Sequence, residues 1–250
     1  MIPNPIHKVL SLIREHGVQQ LLMGGQACVL YGAAEFSRDI DLALLLDHEN
    51  LEHLKSALDV LQAEVIAVPP FDEEHLAAGL AVHFRCGLPE VKDLRIDIMT
   101  KMRGVDDFSE LWKRRTSIHY KGETIDVLSL PDLVASKKTQ RDKDWPMITR
   151  LIEANYFANR DKPTREQVSF WLGELRTPSL LVAVAHRFPE ETNKQLSHRP
   201  LLSLCRTTAP NESAILEALH KEEQAERQAD QAYWRPLRTR LEALRGKHPN

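Results

Sequence analysis

The sequence is poor in cysteine. Its 250 residues hold three, Cys28, Cys86 and Cys205, far apart and without a CxxC pair. That excludes a disulfide framework and a zinc ribbon, and makes a reducing cytoplasm the expected location. No run of eighteen apolar residues occurs, so no bilayer-spanning helix and no membrane partner are expected. The opening MIPNPIHKVLSLIREHG lacks the basic start and apolar block of a signal peptide, so secretion is not expected. An excess of positive charge is also missing. With 33 Lys+Arg against 36 Asp+Glu the formal net charge is -3, which excludes a globally basic nucleic-acid footprint. None of the eleven histidines falls in HxxxH or HExxH spacing, so no histidine metal site is expected. There is no internal repeat and no low-complexity linker.

What is present is an ordinary globular composition, 42% hydrophobic and 28% charged, on a chain long enough to bury a sizeable core. Ile6, Val9, Leu10 and Ile13 have helical spacing, with Gly17 as a stop. Residues 18–23 read as a buried strand ending at Gly24-Gly25, and a short helix follows over 26–31. Residues 39–44 read as a second strand. Asp47 suits the N-cap of a helix with Leu51, Leu54, Leu58 and Leu61 on one side. Strands are expected at 80–86 and 94–99, joined as an antiparallel hairpin across Gly87-Leu88-Pro89-Glu90, and another at 125–128.

From residue 129 the pattern is helical. Ser129-Leu130-Pro131-Asp132 and Thr164-Arg165-Glu166-Gln167 are capping-box-like starts. Val168, Trp171, Leu172 and Leu175 form a buried stripe. Asn211 opens a long helix to about Ala232, with Pro236 expected to break or kink it. The expectation is a mixed α/β core over 1–128, a mixed sheet with flanking helices, followed by an all-helical region over 129–250.

Chemistry is concentrated in three places. Asp39 and Asp41 are two apart on a strand, so their side chains share a face roughly 6.5–7 Å apart. An apolar strand does not place two carboxylates side by side without a cation to neutralise them. Asp97 lies in Leu94-Arg95-Ile96-Asp97-Ile98-Met99, again within an apolar strand. If the two strands are neighbours, three carboxylates converge on hard divalent cations, in the geometry that clamps an in-line phosphoryl displacement between two ions. Gly24-Gly25 leads into a helix, where backbone N–H groups can approach a phosphate without a Cβ in the way.

Gly24-Gly25, then Asp39-Ile40-Asp41, then a lone strand Asp97 resembles the polymerase-beta-type nucleotidyltransferase superfamily, and looks most like its minimal bacterial, abortive-infection-type group. Gln26-Ala27 through Tyr31-Gly32, Phe36-Ser37-Arg38 before the carboxylates, and the stretch from Leu130 through Lys137-Lys138 to Arg141-Asp142 add to the match, over about residues 18–155. Ala34-Glu35 stand where many members carry an arginine, with Arg38 as the substitute at hand.

The resemblance implies a nucleotidyltransferase fold and a reaction. A nucleoside triphosphate (ATP or another) binds with two Mg²⁺, Mn²⁺ being an alternative, and an acceptor hydroxyl attacks the α-phosphorus with release of pyrophosphate. It implies Asp39, Asp41 and Asp97 as catalytic metal ligands. Gly24, Gly25, Ser37, Arg38, Lys137 and Arg141 are implied on the nucleotide. Candidate acceptors are RNA such as a tRNA end, a protein, or a small molecule such as an aminoglycoside. The alternative is a non-catalytic nucleotide-binding or toxin–antitoxin module with a protein (antitoxin) partner, for which the polar helix around 220–231 offers a surface.

Plainer roles stand beside these. Gly24-Gly25 also fits a simple strand-to-helix turn, and Ser37 also fits a cap. Lys137 and Lys138 diverge on a helix, so one of them faces solvent. Arg141, Lys143 and Asp144 also read as a surface ion-pair cluster. Asp93 and Asp126 read as solvated and Asp106-Asp107 as an N-cap. Lys113-Arg114-Arg115 reads as a solvated basic face or an RNA contact. Trp112, Trp145, Trp171 and Trp234 read as core or interface residues.

Overall fold

The computed structural model describes residues 3–34 and 36–247. The chain forms two compact units. One runs to Lys137 and takes in the chain again from Ala232; the other is Lys138–Gln231.

The first unit holds helices α1 (Asn4–Glu15), α2 (Gly24–Leu30), α3 (His48–Val60), α4 (Glu73–Ala77), α5 (Phe108–Lys113) and α6 (Leu130–Ser136). Its strands are β1 (Gln20–Met23), β2 (Ile40–Leu44), β3 (Ala63–Val65), β4 (Val82–Cys86), β5 (Arg95–Met99), β6 (Thr116–Tyr120) and β7 (Glu123–Val127). They make one mixed sheet in the order β3-β4-β5-β2-β1-β7-β6. β2 sits at its centre, antiparallel to β1 and parallel to β5. The expected hairpin of β4 and β5 is antiparallel.

Period-two alternation sorts the two faces. Leu22, Ile40, Leu42, Val82, Phe84, Ile96 and Ile98 are all at or near zero exposure and form the apolar face. Asp41, Asp97, His83 and Arg95 occupy the alternate positions. Ile6, Val9, Leu10 and Ile13 of α1 are buried as their spacing predicts. Asp47 caps α3 by accepting from the Asn50 N–H.

Three elements have no counterpart in the sequence reading. β3 is three residues long, too short to show alternation, and α4 is a single turn and a half. β6 has a single aliphatic residue, Ile118, which is only half-buried, and it follows the Lys113-Arg114-Arg115 run, so it gives little strand signal. The two-residue turn Lys121-Gly122, both at positive φ (51° and 82°), joins it to β7.

The second unit is helical, as expected: α7 (Asp144–Asn159), α8 (Arg165–Glu174), α9 (Pro178–Arg187), α10 (Pro189–Gln195), α11 (Leu202–Cys205) and the first part of α12 (Glu212–Lys247). Thr164 and Gln167 form a full capping box at α8. Val168, Trp171, Leu172 and Leu175 are buried. Arg199, 6% exposed, donates to the carbonyls of Leu172 and Leu175 and pairs with Glu222, which ties the end of α8 to α12.

Of the break or kink expected at Pro236, the break does not occur: α12 is continuous to Lys247 with Pro236 inside it. Proline removes one donor, and the carbonyl it frees belongs to Ala232. Both residues are exposed, so water can satisfy that group.

Candidate active site

The site begins where β1 passes into α2. Gly24 has φ +63°, the left-handed region that glycine adopts without strain. A Cβ there would lie 1.8 Å from Asp41 Oδ2 and 2.6 Å from Asp41 Cβ. A Cβ on Gly25 would lie 2.3 Å from Ser37 Oγ. The room left by the two missing side chains is thus taken by Asp41 and Ser37. The Gly25 N–H donates to Asp41 Oδ2 at 3.3 Å. Gln26, fully buried, donates from Nε2 to the Ser37 carbonyl at 2.8 Å and anchors the segment leading to the carboxylates.

Asp41 and Asp97 are direct partners in the parallel pairing of β2 and β5, while Met23 is the partner of Asp41 on β1. Side chains at paired positions share a face, and neighbouring strands are about 4.8 Å apart. Asp39, half-buried, precedes β2 by one residue. Burial pushes the Asp41 carboxyl above the ordinary carboxylate range. The charge of Asp97 and, more weakly, that of Asp39 push the same way, while the Gly25 N–H and Lys137 pull back. All three carboxylates act on Arg95, whose pKa is raised first by its hydrogen bond to Asp97. Asp41 and Asp97 are therefore paired neighbours, and Asp39 is near enough for its charge to act on Asp41 and Arg95.

Two residues of this cluster were not anticipated. Arg95 Nε donates to Asp97 Oδ1 at 2.6 Å, and His83 Nδ1 lies 2.8 Å from the same oxygen. Burial pushes Asp97 up, but the bonds from His83 and Arg95 outweigh it and hold the carboxyl below its ordinary value. The Arg95 guanidinium also lies 3.1 Å from His83 Nδ1. Arginine has only donors, so Nδ1 cannot be proton donor to Asp97 and acceptor from Arg95 at once. The anionic carboxylate favours the first arrangement. The signal was present in the sequence: with Val82, Phe84 and Cys86 facing the core, His83 falls on the carboxylate face, and the hairpin register pairs it with Asp97.

The remaining predicted residues divide. Lys137 is buried at the end of α6, and its charge bears on Asp41. Lys138 belongs to the second unit and pairs with Glu174 at 2.8 Å. Arg141, also in the second unit, pairs with Asp144, which accepts from Thr139 as well. Ser37 is half-buried, and Arg38 is exposed beside the ring of Phe36. Ala34 is half-buried; Glu35 lies outside the described residues. Asp93 is exposed. Asp126 is held by Arg115, Asp106 by Arg114, and Lys113 by Glu110. Trp145 and Trp171 are buried.

Among the described residues no three His, Cys, Asp or Glu side chains are gathered, as they stand, to hold a metal ion. In donor type the cluster does fit a hard divalent cation: carboxylates on one face of adjacent strands, one of them raised by burial and by the other's charge, a repulsion that a cation relieves. Elsewhere, a polar cavity of about 550 Å³ lies in the second unit against His220, Glu223, Gln224 and Arg227 of α12. No helix among the described residues is long and apolar enough to cross a membrane.

No protein-family model matches the sequence, and no curated protein matches it. Among solved structures the chain resembles a lincosamide antibiotic adenylyltransferase, LnuA, crystallised with lincomycin. That match has 16% identity and a TM-score of 0.41 and covers 60% of this chain and 96% of the other. The chain also resembles an antigenic nucleotidyltransferase-like protein from Paracoccidioides brasiliensis, at 17% identity, 80% and 90% coverage and a TM-score of 0.40. A third neighbour is ANT(2")-Ia in complex with adenylyl-2"-tobramycin, at 15% identity, 73% and 96% coverage and a TM-score of 0.36. Overlaps this loose assign neither substrate nor site residues to the present chain.

Proposed function

We propose that the protein is a divalent-metal-dependent nucleotidyltransferase. It moves a nucleoside monophosphate from a nucleoside triphosphate to an acceptor hydroxyl and releases pyrophosphate. The observation that carries this reading is the register of β2 and β5, which makes Asp41 and Asp97 neighbours under the Gly24-Gly25 turn.

Asp39, Asp41 and Asp97 would hold Mg²⁺ or Mn²⁺. When bound, the ions neutralise the triphosphate and lower the pKa of the attacking hydroxyl. The chain's own contribution is placement. Gly25 fixes Asp41 through its N–H. Gln26 fixes the Ser37 segment. Buried Lys137 sets a positive charge beside Asp41 that lowers the cost of bringing an anionic nucleotide there. The new bond joins the acceptor oxygen to the α-phosphorus, the bond to the pyrophosphate oxygen breaks, and the hydroxyl proton passes to solvent or to a carboxylate of the cluster. The acceptor class is RNA, protein or a small polyhydroxylated compound.

A second reading, a nucleotide-binding or toxin–antitoxin module without turnover, draws on one observation: Asp97 already has a counter-ion in Arg95. Incubation of the pure protein with each labelled triphosphate, Mg²⁺ and, in turn, total RNA, protein and an aminoglycoside separates the two. Label transfer that vanishes in Asp41→Ala is expected. Retained triphosphate binding with no transfer to any acceptor would establish the second reading instead.

A further inference from the structure

Arg95 is placed as a counter-ion rather than as a structural staple. Its Nε reaches Asp97 Oδ1 at 2.6 Å, yet its side chain is 40% exposed while that of Asp97 is 15% exposed. Its guanidinium also approaches His83 Nδ1 at 3.1 Å, a group that itself serves Asp97. Its cross-strand partner on β4 is Arg85, a like charge directly opposite, which favours the guanidinium leaning toward the carboxylates. A flexible, half-exposed cation thus sits on the one carboxylate of the cluster that faces β4, where the reading above puts a divalent ion.

We propose that Arg95 is a positioning residue that acts through Asp97. It occupies the carboxylate while the site is empty, and a divalent ion must displace it to bind, so cation loading is a competition with a tethered side chain. This rests on the proposed metal-dependent function. The exchange suits the geometry: an exposed long side chain leaves a carboxylate for water at little cost, because its ion pair is weak in high dielectric. It also keeps Asp97 neutralised and aimed when no ion is present.

The test is Mn²⁺ binding by the full chain without nucleotide, followed by electron paramagnetic resonance. Wild type is compared with Arg95→Gln, Arg95→Met, Arg95→Lys, Arg85→Gln and Asp41→Asn, each checked for folding by circular dichroism. Loss of the competing cation should tighten Mn²⁺ binding by about three- to tenfold in Arg95→Gln and Arg95→Met, with Arg95→Lys close to wild type. Arg85→Gln removes a nearby charge that does not touch Asp97, and should change binding less than about twofold. Equal or weaker binding in both Arg95→Gln and Arg95→Met would overturn the proposal, as would an equal gain in Arg85→Gln, which would mark a general field effect. If Mn²⁺ binds wild type and is lost in Asp41→Asn while the Arg95 variants are unchanged, the inference falls and the metal site stands. If Asp41→Asn binds as wild type does, or no form binds, the metal site itself falls and the inference with it.

Discussion

Gly24 and Asp41 occupy space that only one side chain can fill: a methyl group on residue 24 would come within 1.8 Å of the Asp41 carboxylate. Gly24→Ala therefore meets two penalties, a strained positive φ and a displaced Asp41. It should lower stability by about 1–3 kcal/mol. Nucleotidyl transfer should be abolished in the fraction that still folds, measured by thermal unfolding and label transfer on the same sample. Full activity in a folded Gly24→Ala protein would show that the Asp41 position is unimportant.

Gly25→Ala makes a separate and repairable clash, with the Ser37 side chain (Oγ 2.3 Å, Cβ 2.9 Å). The double variant Gly25→Ala, Ser37→Gly should recover most of the stability lost in the single variant, by the non-additivity expected of residues in contact. Additive losses in urea unfolding would contradict the contact.

Asp41→Asn should stabilise the fold at neutral pH while removing activity. The folded-state pKa of Asp41 is raised, so ionising it costs folding free energy. The favourable contribution of the protonated form is full below the unfolded value near about 3.9 and is lost as pH rises through the raised folded value. The variant should thus exceed wild type by about 0.5–2 kcal/mol at pH 7 and converge with it in acid. Denaturant titrations at pH 7 and pH 3.5 decide the matter, and a variant less stable at both would refute it.

The three thiols should be silent in the native protein. Cys28, Cys86 and Cys205 are buried and unbridged, and burial pushes Cys86 and Cys205 up to about 11. An aromatic disulfide reagent at pH 8 should titrate none of them in the folded chain and all three in guanidinium. Rapid reaction of the native protein would mean that the buried surroundings of the reacting thiol open.

Arg114 makes a two-pronged contact with Asp132 (2.7 and 2.8 Å), the residue that Ser129 also caps at the start of α6. Because Arg114 is 40% exposed, screening limits the pair, and Arg114→Gln should cost about 1 kcal/mol or less. Since Lys137 is the C-cap of α6, the same substitution should weaken triphosphate binding several-fold, read by isothermal titration, if Lys137 serves the nucleotide.

The carboxylates were legible because alternation is a local property: an aspartate between isoleucines announces its own face. Gly24-Gly25 was legible as a turn, but which side chains fill the space beside it is set by residues 37 and 41, beyond the reach of local pattern. His83 and Arg95 were missed because spacing rules for metal-binding histidines look along the chain, whereas this contact runs across a hairpin. β6 escaped because Thr116–Tyr120 carries little apolar alternation, and because the basic residues just before it find partners on β7 and α6, Arg115 with Asp126 and Arg114 with Asp132, which no composition count reveals. At Pro236 only the break is excluded: the helix continues through the proline, where water can take up the lost bond.

The central position of β2 constrains how the molecule is made. Its partner β5 is encoded more than fifty residues later, so a chain still emerging from the ribosome must hold Asp41 and an unpaired apolar strand edge without the neighbour that completes them. A chain stopped before residue 95 would retain the first two acids, lack the third, and carry a sticky border in the middle of what should become its sheet.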